Sequence, residues 1–146
     1  MEGSSGQHEE RIDHTISDTA KQISNTIAML KGFTRENMDA SFETLRKVKI
    51  FGVQAVEKMI ILTETSYDEE STKYLFKVVR TVRIPIEYEE RYNWLKVFEL
   101  LAYLLVELKE QEQIYETLNK EQTSIIIVHP EETVRIKLSV GLDDST

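Results

Sequence analysis

Cysteine is absent from the chain, and only two prolines, five glycines, three histidines and one tryptophan occur among its 146 residues. Without cysteine there is no disulfide scaffold, no thiol nucleophile and no thiolate zinc site, and the composition suits a reducing, cytoplasmic setting. Five scattered glycines include neither a phosphate-cradling loop nor a dinucleotide fingerprint, so nucleotide chemistry is not expected. The histidines, His8, His14 and His129, stand apart from one another and from any serine that would need a base, which argues against a hydrolytic triad. No His-x-x-x-His, Glu-x-x-His or Asp-rich loop occurs either, so neither a metal nor a cofactor is expected. No apolar run reaches the roughly twenty residues that a bilayer requires.

What is present is charge and helical periodicity. Charged residues make up 30% of the chain and the net charge is −8. The acidity is uneven: residues 1–63 hold nine acids and eight bases, residues 64–146 seventeen and ten. A negative protein cannot displace counterions from phosphate by its overall field, so direct nucleic-acid binding is disfavoured. A lopsided acidic surface instead raises encounter rates with a basic partner. The length is that of one domain. It divides into a polar tail at 1–9, a single domain at 10–141 and a frayed acidic tail at 142–146.

Ile12, Ile16, Ala20, Ile23, Ile27 and Leu30 recur at three- and four-residue steps and predict a helix ending near Lys31, with Gly32 as a left-handed cap. Phe33 and Thr34 read as a short connection. Met38, Phe42, Leu45, Phe51 or Gly52, Val56, Met59 and Ile60 continue helical spacing and predict a second helix, the two forming an N-terminal hairpin. From Tyr74 to Tyr88 the apolar residues alternate, predicting a strand over 74–86 whose Pro85 places it at an edge or at its own end. Residues 70–81 also fit a short helix capped by Asp68 or Ser71, leading into a strand at 82–86; the alternation favours the strand.

Residues 94–108 are the densest apolar run, and Lys96, Glu99, Tyr103 and Glu107 share one face, predicting a long third helix buried on its remaining sides. Ile125–Val128 and the alternation Val134, Ile136, Leu138, Val140 predict strands at 123–128 and 133–140, joined by His129-Pro130-Glu131-Glu132 into a C-terminal β-hairpin. The fold class is therefore α+β, with three helices against a small, mostly antiparallel three-stranded sheet.

Function is expected to be non-catalytic. The leading expectation is a small regulator or adaptor that docks on a basic protein surface, such as the nucleic-acid cleft of a polymerase or nuclease, through Glu107, Glu110, Glu112, Glu116 and Glu121. A second is a structural subunit of a homo-oligomeric, viral or multi-subunit assembly, associating through the seam Ile16, Ile23, Ile27 and Leu30. A third is a nucleic-acid accessory protein using the basic patch Lys73, Lys77, Arg80 and Arg83, beside a smaller basic cluster at Arg46, Lys47 and Lys49. Catalysis through Glu99 or Glu107 is the least favoured, because solvated carboxylates account for both residues.

Overall fold

The computed structural model describes the backbone of residues 3–143 and the side chains of residues 13–140, so the expected tails lie partly outside it. The order is α1 (Gly3–Glu36), α2 (Phe42–Leu45), β1 (Ile50–Val56), β2 (Met59–Tyr67), β3 (Tyr74–Arg83), a 3-10 segment (Tyr88–Asn93), α3 (Trp94–Gln122), a 3-10 turn (Pro130–Glu132) and α4 (Val134–Asp143). The class is α+β, as the sequence predicts, but its helices and strands are distributed differently.

The N-terminal helical hairpin is not formed. α1 runs through Gly32 to Glu36, because the residues expected to end it are held by packing. Phe33 stacks on Tyr115 with ring centroids 5.0 Å apart, and the Thr34 hydroxyl lies 2.7 Å from that of Tyr67. The helix closes instead at Asn37, whose backbone N–H donates to the Thr34 carbonyl. The second predicted helix is replaced by one turn, α2, and by the β1–β2 hairpin. Its stretch from Val48 to Thr65 is dense in valine, isoleucine and threonine, whose branched Cβ loses rotamer freedom in a helix and fits a pleated surface. Glu57 takes a positive φ of 53° at the hairpin turn.

β1, β2 and β3 form an antiparallel meander in that order, with Ile50 opposite Thr65 and Thr65 opposite Phe76. An irregularity at Leu62/Thr63 leaves Val79 unpaired. β3 is an edge strand and Pro85 lies just past its end, as expected.

The sheet carries a helix on each face. On one, Thr65 donates to the Thr26 hydroxyl of α1 at 2.8 Å, and Gly52 lets Gln22 approach so closely that a Cβ there would lie 2.5 Å from its Nε2. On the other, Leu62 and Val82 pack against Val97 and Leu100 of α3. A second core gathers Leu30, Phe42, Leu45, Val48, Tyr67, Leu118 and Val134 where α1, α2, α3 and α4 meet at one end of the sheet.

The C-terminal β-hairpin is not formed either. Residues 125–129 run outside the sheet, and residues 134–143 are helical. Val134 is fully buried and Leu138, one turn on, packs against the same core, whereas Ile136 and Val140 are exposed; the apolar residues serve the four-residue period rather than the two-residue one. The first backbone N–H groups of α4 have acceptors outside it, Val134 donating to Ala40 and Arg135 to Met38, both at 2.9 Å.

Candidate functional site

α3 is fastened to the rest of the molecule by polar anchors as well as apolar ones. Fully buried Gln111 accepts from the Lys49 backbone N–H at 2.9 Å and donates to the Lys47 carbonyl at 3.0 Å. Buried Glu121 accepts from the Ser41 N–H at 2.7 Å and from the Thr44 hydroxyl at 2.6 Å. Gln122 accepts from the Asp39 N–H at 2.8 Å, and Glu107 pairs with Lys49 at 3.2 Å. The Gln111 and Glu121 contacts satisfy part-buried backbone and hydroxyl groups, and together these contacts fix the rotation of α3 about its own axis.

That rotation divides the stripe expected in solvent. Tyr103 and Glu107, read from sequence as part of a solvated stripe, face the sheet, where Arg80 lies 4.9 Å above the Tyr103 ring. Lys96 and Glu99 remain in solvent. The apolar residues expected to be covered on most sides divide: Val97 and Leu100 are buried, while Trp94, Leu95, Phe98, Leu101, Leu105, Val106 and Leu108 are exposed, Phe98 to 61% and Leu105 to 62%. These seven lie on one side of the helix over about four turns. Ile86, Tyr88 and Tyr92, also exposed, continue the apolar surface upstream. An apolar patch this wide on a helix otherwise dominated by Glu, Gln and Lys is the feature of the molecule that calls for an occupant.

The geometry accounts for local electrostatics beside the site. Burial by itself would lower the Lys49 ammonium, but its hydrogen bond to Glu107 and the fields of Glu64 and Glu107 outweigh burial and hold the pKa above its ordinary value. Burial, with the same two carboxylates, raises the Tyr103 phenol.

The predicted acidic face does not converge. Glu107 and Glu121 are engaged as described, Glu110 borders a cleft of about 430 Å³ with Glu43, Arg46, Lys47, Lys49 and Glu69, and Glu112 and Glu116 lie on the outward side. The Lys120 ammonium, 2.9 Å away, holds the Glu116 carboxyl below its usual range. The basic patch is divided likewise: Lys77 pairs with buried Glu64 at 3.6 Å, Arg83 with Glu90 at 3.0 Å, Arg80 covers Tyr103 and Lys73 is exposed. Along the α1 seam, Leu30 is buried in the core, Ile23 and Ile27 are half-buried and Ile16 is 62% exposed. His14 and His129 are exposed, and no three His, Cys, Asp or Glu side chains cluster as a metal site among the described residues. Among the same residues no helix is long and apolar enough to cross a membrane.

Sequence reasoning singled out residues 94–108 but not which of them face outward. The seven-residue spacing Trp94, Phe98, Leu101, Leu105, Leu108 was the available signal. No family model, curated protein or solved structure matches the chain.

Proposed function

We propose that this chain is a non-catalytic protein-interaction module that docks through the outward face of α3, in the reducing, cytoplasmic setting that its cysteine-free composition suits. The observation carrying the proposal is the exposed apolar side of a helix whose opposite side is locked in place by Gln111, Glu121 and Glu107. Apolar surface removed from water stabilises an association by roughly 25 cal/mol per Å², so a face of this kind supports binding of another protein surface. Of the two carboxylates weighed for catalysis, Glu107 is committed to Lys49 and Glu99 stands exposed in solvent.

The acids retain a part in this reading. Exposed Glu112 and Glu116 follow the apolar patch along the outward side of α3 and would steer a basic partner surface during encounter. Docking on a nucleic-acid enzyme's basic cleft is the most specific form of that proposal, and it rests on these two side chains.

The double variant Phe98→Glu, Leu105→Glu tests the reading. Both side chains are outside the core, so the variant should keep its circular-dichroism spectrum and melt within a few degrees of the parent in dilute solution, while losing association seen by sedimentation velocity. Unfolding of this variant would overturn the proposal, since it would make the face part of the monomer's own core.

A further inference from the structure

Resting on that reading, we infer that the outward face of α3 pairs with the same face of a second copy of this chain, the two helices running antiparallel. Trp94, Phe98, Leu101, Leu105 and Leu108 are spaced by four, three, four and three residues. That seven-residue repeat keeps one apolar seam facing a neighbouring helix when two helices cross at about 20°. It is complementary above all to another helix with the same repeat, and α3 of a second copy supplies one. A two-fold axis near Phe98 and Leu101 sets Trp94 opposite Leu105 and Phe98 opposite Leu101 in each half, as an interface between identical surfaces requires.

Side-chain size selects the direction. Antiparallel pairing sets each ring of the seam, Trp94 and Phe98, against a leucine of the other copy, so large and smaller side chains alternate across the interface. Parallel pairing would instead stack Trp94 on Trp94 and Phe98 on Phe98, leaving leucine against leucine in the remaining layers.

The area is sufficient. The exposed parts of the seven apolar side chains amount to on the order of 700 Å² per copy, near the roughly 800 Å² per partner of a standard specific interface, before Tyr88 and Tyr92 are counted.

A chain without native cysteine makes the test clean. Trp94→Cys and Leu105→Cys variants, each of the full chain, are treated with a short bis-maleimide separately and as a mixture. Antiparallel pairing predicts a covalent heterodimer in the mixture and little product from either variant alone, because like positions are about 16 Å apart along the axis at 1.5 Å per residue. Efficient dimers from each variant alone would overturn the antiparallel arrangement. No dimer in any mixture, with a sedimentation mass of one copy at every concentration, would overturn self-pairing altogether. In that event a folded Phe98→Glu, Leu105→Glu variant would leave the module reading standing with a different partner, so the two failures are separable.

Discussion

At the scale of single residues, three positions report directly on how the chain is held. Ser124 follows α3 with a positive φ of 62°, its N–H donating to Glu121 and the next N–H, from Ile125, to Lys120, the bonding pattern of a Schellman cap. Glycine adopts that conformation without the Cβ clash. Ser124→Gly should therefore stabilise the protein by about 0.5–1 kcal/mol, read as a higher midpoint in urea. Gly52 lies under α1, where an added Cβ would meet Gln22 Nε2 at 2.5 Å and Thr63 Oγ1 at 2.7 Å. Gly52→Ala should cost about 1–3 kcal/mol by overpacking, measured by the same titration. Tyr67 is buried, and burial pushes its phenol up to about 12 from the ordinary value of 10. Because the folded pKa lies above the unfolded one, its contribution is complete below pH 10 and is lost as pH rises towards 12, with a slope approaching 1.4 kcal/mol per pH unit. Tyr67→Phe should flatten that part of the stability curve, and an unchanged slope between pH 10 and 12 would refute the assignment.

At the scale of elements, polar side chains on α3 decide where the helix sits. Gln111→Ala would leave the part-buried Lys49 N–H and Lys47 carbonyl without their partner and open a gap at a buried site, a loss of about 1–3 kcal/mol. A loss below 1 kcal/mol in chemical denaturation would mean that α3 is not anchored there.

The same element shows why parts of the fold were legible in the sequence. The run at 94–108 has one explanation, a helix, and the strand from Tyr74 onward was visible in its alternation and its terminal Pro85. Residues 48–65 were misread because apolar residues are frequent enough there to satisfy a helical spacing by chance. Their β-branched chemistry is the feature that discriminates strand from helix. Residues 134–140 alternate almost perfectly and still form a helix, since Val134 and Leu138 find a core and the N–H groups of the first turn find the carbonyls of residues 38 and 40. Periodicity describes one segment at a time, whereas these outcomes depend on surfaces far away in sequence. The candidate site was half legible for the same reason: the apolar residues of α3 could be named, but the side turned outward is set by contacts with residues 39–49.

At the scale of the whole molecule, the outline is a sheet covered by α1 on one face and α3 on the other, with an apolar surface left on the far side of α3. An association driven by that surface should persist as salt is raised, because burial of apolar area does not depend on screened charge, while the on-rate between two copies, each of net charge −8, should rise as their repulsion is screened and that with a basic partner should fall. Stopped-flow association at 0.05 and 0.5 M salt would show both effects, and an equilibrium abolished by salt would assign the binding to the acids instead.

The most direct measurement is the rate of maleimide labelling at Leu105→Cys as the protein is diluted. Rapid reaction is expected in the dilute monomer, with progressive protection as concentration rises and α3 is covered by a second copy. A rate independent of concentration would contradict it.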